Sequence, residues 1–267
     1  MSTTIPQYDL DTKLAELKIN GYVVFEKAVP VDLIDRIYAA FLPLLERVRA
    51  TEKEISPIER GDVRTGKGRL QNPNRYTLHV PWTAPFADPA LYEHPVILDM
   101  LTRYWGNEDY QLTCYHSNTP YPGSEYQRWH RDIQLLAPQV GLHTCPNFGV
   151  KFPLVDTTEE NGSFEVLPGT QYLADPDLEP RYDDVIRRGS FPSARRLDLK
   201  KGSLWIQDPR TLHRGTPNRS DHPRPELVLC YSRSWFALRH PLTVAEAEAD
   251  RLSERGKRLL SRSIENY

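Results

Sequence analysis

The sequence has little cysteine, no surplus of charge and no long apolar run, and each absence narrows what it can be. Its three cysteines, Cys114, Cys145 and Cys230, are widely spaced, odd in number and free of any C-x-x-C pair. Neither a zinc ribbon nor a disulfide framework is supported, and reduced, mostly buried thiols are expected. Lys plus Arg number 34 against 36 Asp plus Glu, a net charge of −2, which argues against nucleic-acid binding driven by bulk charge. No apolar stretch reaches the roughly 18 residues of a membrane span, so no membrane segment is expected. Met1–Asp9 has no basic region followed by an apolar run, so no secretory signal is expected and a soluble cytoplasmic protein is implied. Glycine is sparse, at 14 residues. The 23 prolines, 14 tyrosines and five tryptophans point instead to turns and rigid loops around β-structure, not to disorder.

What is present reads as one domain over 1–267, long enough to bury roughly 70–75% of its unfolded surface. Residues 1–109 supply helical support and a loop, 110–236 a β-rich core and 237–267 a C-terminal helix. Asp11–Ile19 has near-helical apolar spacing and ends at Asn20-Gly21. Tyr22–Val29 reads as a strand, and Val31–Ala50 as an amphipathic helix with Leu33, Ile34, Ile37, Phe41, Leu44, Leu45 and Val48 on one side. Residues 51–90 read as a polar, basic loop, long enough to be functional or mobile. Pro89–Trp105 reads as a second amphipathic helix.

From Tyr110 the pattern turns to short strands: Tyr110–His116, Tyr126–Leu135, Asn147–Val155 (an edge or bulge, given its proline), Ser163–Leu167, Leu197–Leu199, Ser203–Gln207 and Leu227–Phe236. Asp175–Ser193 reads as a lid or surface insertion, and Val244–Glu265 as an outer helix. Trp205 and Trp235 read as core, and His79, His94, His222 and His240 as surface or loop residues. No βαβ alternation is present, so a sandwich or barrel of antiparallel strands with flanking helices fits best.

Within that β-rich half lies His130-Arg131-Asp132. On a strand, residues two apart share a face, so one imidazole and one carboxylate point together while Arg131 and Trp129 point elsewhere. A second imidazole from a distant strand, such as His213, completes a two-His, one-carboxylate face, the ligand set of non-heme Fe(II) oxygenases. A bare H-x-D also arises as a surface His and Asp beside a turn, and the spacing alone does not decide.

The order of the motifs does more. His130-Arg131-Asp132 is followed by Glu159–Thr170 with its Asn161-Gly162 and Pro168-Gly169 turns, by Lys201-Gly202-Ser203-Leu204, and by His213, Asn218 and Arg224, eleven residues beyond His213. With the opening Asn20-Gly21-Tyr22-Val23-Val24, this succession resembles the phytanoyl-CoA dioxygenase family of Fe(II)/2-oxoglutarate oxygenases over residues 13–236.

The resemblance implies a mainly β protein with flanking helices around a double-stranded β-helix, a cupin-like jelly-roll. It implies Fe(II) on His130, Asp132 and His213, and a dioxygenase that uses O₂ and 2-oxoglutarate to oxidise, most simply hydroxylate, a small molecule, with release of succinate and CO₂. Arg224 would pair with the distal carboxylate of 2-oxoglutarate, which a planar guanidinium grips by two parallel hydrogen bonds. Tyr115, Thr119 and Gly215 are further candidates for the cosubstrate; Arg64, Arg75, Tyr76 and Trp82, on the loop before the core, are candidates for the substrate. Asp132 favours hydroxylation over halogenation, because halogenases of this fold carry Ala or Gly there. Gln171 and Arg214 depart from the family pattern, the second beside the cosubstrate pocket. Two rivals remain: a cupin-like metal-dependent isomerase or hydrolase without 2-oxoglutarate, and a non-catalytic jelly-roll binding module. Monomer and homodimer are equally open.

Overall fold

The computed structural model describes residues 6–52, 74–133, 144–173, 191, 193–236 and 242–264. Helix α1 (Leu10–Asn20) begins where the Asp9 carboxylate accepts backbone hydrogen bonds from Asp11 and Thr12, both at 3.2 Å. It ends at Gly21, whose φ of 77° suits a residue without a side chain. Helix α2 (Val31–Glu52) buries Leu33, Ile34, Ile37, Phe41 and Leu45 along one stripe. The single helix expected over Pro89–Trp105 is two, α3 (Pro89–Tyr92) and α4 (Pro95–Trp105). Pro95 has no N–H to continue a helix, but its fixed φ suits the first turn of a new one.

His94, expected at the surface, is 1% exposed and its Nε2 lies 3.0 Å from the Ala28 carbonyl. Burial pushes its pKa below the ordinary 6.5. The folded state therefore prefers the neutral ring, and stability is lost as the pH falls from 6.5 toward the lowered value. In His94→Gln, which keeps a donor but does not titrate, the fall in chemical-denaturation stability between about pH 7 and pH 5 should be shallower; an unchanged slope would refute this.

Among the described residues nine strands form two antiparallel sheets. They are β1 (Tyr22–Phe25), β2 (Arg75–His79), β3 (Tyr110–Pro120), β4 (Asn147–Pro153), β5 (Phe164–Val166), β6 (Arg195–Leu197), β7 (Leu204–Gln207), β8 (His213–Arg214) and β9 (Glu226–Arg233). The larger sheet runs β1-β7-β4-β9-β3-β2 and the smaller β6-β5-β8. One face of the larger sheet, with Phe148, Val150, Phe152, Leu227, Leu229 and Tyr231, shares a single core with Ile34, Ile37 and Phe41 of α2 and Ile97, Met100 and Leu101 of α4. Its other face looks at the small sheet, with Trp205 5.0 Å from Phe164. This is the jelly-roll expected of the sequence.

Several expectations need correction. β2 is a strand within the stretch read as loop. β4 is central, between β7 and β9, and all seven of its residues are buried; its proline is tolerated because it is the last residue. No regular strand forms around His130. Instead Gln127 donates to the Gly215 carbonyl at 2.9 Å, and His130 and His213 exchange backbone bonds at 3.0 and 3.1 Å. Between these two contacts the register slips by one residue. Trp235 is 60% exposed, not core. The C-terminal segment forms two short helices, Glu246–Ala249 and Glu254–Leu259. No helix among the described residues is long and apolar enough to cross a membrane.

One irregularity decides which β3 side chains face the small sheet. Between Leu112 and Cys114 the β3–β9 register shifts, leaving Thr113 as a bulge. Leu112 faces the helices, and without the bulge Cys114 and His116 would too. With it, Tyr115 faces the helices, and Cys114 and His116 face the small sheet's side, opposite Cys230 and Val228.

Candidate metal centre

His130, Asp132 and His213 converge. Their donor atoms lie within 4.8 Å of one another. Asp132 Oδ1 is 3.7 Å from His130 Nε2, and Oδ2 is 3.6 Å from His213 Nε2. The backbone pairing of His130 with His213 sets the two rings side by side, centroids 4.4 Å apart. Asp132 is brought to the same spot by its own N–H, which donates to the Pro209 carbonyl at 2.9 Å.

Each imidazole has its other nitrogen tied. His130 Nδ1 donates to the Arg128 carbonyl and His213 Nδ1 to the Thr211 carbonyl, both at 2.7 Å. At His130 the carbonyl can only accept, so Nδ1 carries the proton and Nε2 keeps a lone pair turned toward Asp132; His213 Nδ1 lies between the Thr211 carbonyl and the Gln207 carboxamide nitrogen, with its Nε2 turned toward the same carboxylate. Enclosure, and then the neighbouring His213, push the His130 pKa down to about 4, which keeps the ring neutral near pH 7. Enclosure would raise the Asp132 carboxyl, but His213 and His130 hold it well below the usual range. Two imidazole nitrogens and one carboxylate oxygen, convergent on one point, fit a divalent first-row metal with the remaining coordination positions open.

The wall around this centre was only partly legible. Phe164 stacks on His213, rings 5.2 Å apart and 24° from parallel. Gln207 packs its carboxamide 2.8 Å from His213 Nδ1 and accepts a hydrogen bond from Lys151. Lys151 is 3% exposed, and its ammonium lies 4.0 Å from the Phe164 centroid and 4.2 Å from that of Trp205. Its sequence signal was a lysine inside an apolar run, Phe148–Leu154.

Arg224, 2% exposed, meets Glu226 at 3.5 Å across Nη1 and Oε2; Trp205 Nε1 donates to the same Oε2 at 3.3 Å. Arg224 Nε and Glu226 Oε1 are buried with no hydrogen-bond partner among the described residues. Burial lowers the pKa of Lys151; the charges of Glu226 and Asp132 oppose the shift and that of Arg224 adds to it. Lys151 therefore feels the charge of both the three-residue centre and the guanidinium.

The other candidates separate. Gly215 and Arg75 meet: Arg75 Nε donates to the Glu125 carbonyl at 2.9 Å and Nη2 to the Thr216 carbonyl. A Cβ on Gly215 would overlap Arg75 Nη1 and stand 2.6 Å from Gln127 Oε1, so the absent side chain is what admits the guanidinium. Burial, and then the Arg224 charge, bring the Arg75 pKa down to about 9. Tyr115 faces the helices, where its hydroxyl donates to the Phe86 carbonyl at 3.1 Å. Thr119 pairs with Tyr76 on that same face. Tyr76 and Trp82 are core residues, Trp82 against Tyr92 at 4.8 Å. None of these four stands at the centre. Arg64, and most of the insertion expected over Asp175–Ser193, lie outside the described residues. Arg131 and Trp129 point away as expected: Arg131 donates to the Arg210 carbonyl at 2.7 Å, and Trp129 packs on Leu167 and Leu212. Arg214 is buried away from the centre, paired with Glu165 at 2.6 Å.

A jelly-roll that brings two histidines and an aspartate to one point carries the donor set of a metal centre. More particularly, residues 17–225 match the family model of the phytanoyl-CoA dioxygenases, and the chain belongs to that family. It is similar to L-proline trans-4-hydroxylase from Streptomyces griseoviridis, 26% identical over 137 residues that cover 43% of this chain and 51% of that enzyme. The chain thus spans about half the length of the curated relative it matches. Among solved structures, AviO1 from Streptomyces viridochromogenes Tue57 has a TM-score of 0.58 at 17% identity, covering 87% of this chain and 99% of that one. HygX from Streptomyces hygroscopicus, solved with nickel, 2-oxoglutarate and hygromycin B, has a TM-score of 0.59 at 17% identity, covering 85% and 88%. These two likenesses show the shared fold.

Proposed function

We propose that the chain is an Fe(II)- and 2-oxoglutarate-dependent dioxygenase that hydroxylates a small-molecule substrate. The observation that carries this is the pair of imidazoles with Nδ1 tied to backbone carbonyls and Nε2 turned toward Asp132. The iron would supply O₂ activation coupled to decarboxylation of 2-oxoglutarate to succinate. The chain's own part is to hold and exclude. His130, Asp132 and His213 take the metal on one side and leave the rest of its positions free. Arg224 offers the distal carboxylate of 2-oxoglutarate a guanidinium whose buried Nε lacks a partner among the described residues. Phe164, Trp205 and the buried face of β4 keep water out. Arg75, seated against Gly215, is the cationic group placed to meet a polar or anionic substrate. Membership of the family and the ligands named for HygX support the same reading.

The test is anaerobic titration of Fe(II) and 2-oxoglutarate into the full chain. A weak visible charge-transfer band that needs both components, and 2-oxoglutarate-dependent succinate formation on admitting air, are expected. A bound metal with neither signal would shift the assignment to a jelly-roll metalloenzyme that does not use 2-oxoglutarate.

A further inference from the structure

The inner face of the large sheet carries a second group of metal-type donors. Cys114, His116 and Cys230 bring two sulfurs and one imidazole nitrogen within 4.8 Å of one another. Cys114 Sγ is 3.4 Å from His116 Nδ1. Cys230 is the direct cross-strand partner of Cys114. The juxtaposition depends on the Thr113 bulge, which turns Cys114 onto the face that Cys230 already occupies.

Its place relative to the first centre is set by the register. One row across the sheet reads Gln207, Gly149, Cys230, Cys114, on β7, β4, β9 and β3. Gln207 packs on His213 at one end and Cys114 stands at the other. Two strand spacings, about 10 Å, separate Gln207 from Cys230 and three, about 14 Å, separate it from Cys114, too far for one ion to use both sets. Gly149, beside Cys230, places no side chain in the row: a Cβ there would meet only Lys151 Cε at 3.7 Å and Val228 Cγ1 at 3.9 Å. Space for a fourth ligand therefore opens next to the sulfurs.

From this geometry we infer that Cys114, His116 and Cys230 form a second metal site, selective for a thiophilic divalent ion of the Zn²⁺ type. Zinc takes Cys and His ligands in tetrahedral sites, with Zn–S of about 2.3 Å and Zn–N of about 2.0–2.1 Å, which puts adjacent S and N donors about 3.6 Å apart. The observed 3.4 Å is within a few tenths of that before any ion binds. Two thiolates reject Fe(II) chemistry of the oxygen-rich kind and favour Zn²⁺. The three protein ligands leave the fourth position for water. Both thiols must lose a proton to bind, so loading releases two protons per ion. The site stands independently of the dioxygenase assignment.

The experiment uses cobalt(II) as the probe in the reduced, full-length, metal-free chain. Cobalt on thiolate sulfur gives an intense near-ultraviolet charge-transfer band, which cobalt on His130, Asp132 and His213 cannot give. Two equivalents should bind, one with the thiolate band. Asp132→Ala should keep that band and lose the other equivalent, and added Zn²⁺ should bleach the band. Cys230→Ser, at the half-exposed member, should lose the band while keeping the equivalent at the first centre, and Cys145→Ser should leave both. Absence of the thiolate band, its persistence in Cys230→Ser, or a Cys114–Cys230 disulfide in the reduced protein by intact mass would overturn the inference.

Discussion

Asp132→Ala should reduce Fe(II) affinity by more than about a hundredfold and bring succinate formation to background. Removing a mere outer partner of a metal ligand costs about 10–100-fold, and Asp132 is the only anionic donor in the set. The chain should still fold, because among the described residues it is the Asp132 backbone N–H, not its side chain, that ties this segment to Pro209. His130 and His213 would remain paired through their backbones and tied through Nδ1. The expected pattern is thus an unchanged melting temperature in the metal-free protein, lost metal binding by calorimetry and lost turnover. Near-native turnover in Asp132→Ala would sink the proposed centre.

The second large effect is at Arg224. Truncating one partner of a buried charge pair costs about 2–5 kcal/mol, roughly thirtyfold or more in affinity. Arg224→Ala should therefore weaken 2-oxoglutarate binding by at least that factor and leave Fe(II) affinity near native. It would also strand Glu226, 2% exposed and with one oxygen already unpartnered among the described residues, so the variant should be less stable as well. The two consequences can be separated. Adding Glu226→Gln removes the stranded charge and should restore stability without restoring cosubstrate affinity. Arg224→Lys keeps a charge but not the forked donor geometry, and should recover binding only in part. Equal loss of metal and 2-oxoglutarate in Arg224→Ala, or recovery of both in the double variant, would mean that Arg224 serves folding and not the cosubstrate.

Elements whose cause is local were legible. The Gly21 terminus and the stripe from Leu33 to Leu45 arise from residues within a few positions of one another, and α1 and α2 lie where their patterns put them. His130, Asp132 and His213 were reached through the order of motifs and do meet. Gly215 was named for the cosubstrate and Arg75 for the substrate, and the structure seats one against the other. Errors arose where a residue's face depends on something outside its own segment. Tyr115 and Thr119 were placed near the cosubstrate by position, but the Thr113 bulge sends them to the helix side. Lys151 and Glu226 were not singled out from the sequence, and only the facing of β4 and β9 against the small sheet makes them lining residues.

By itself, then, the sequence determined the architecture and pointed to the three side chains that converge, because periodicity and turn residues act over short range and the motif order survives as a linear record. The tertiary structure decided which side each strand residue faces and what it meets. In a sheet the side-chain period is two, so one bulged residue inverts everything beyond it. Thr113 is that residue, and nothing in Leu112-Thr113-Cys114 announces it. The same inversion that carries Tyr115 away from the centre is what sets Cys114 against Cys230.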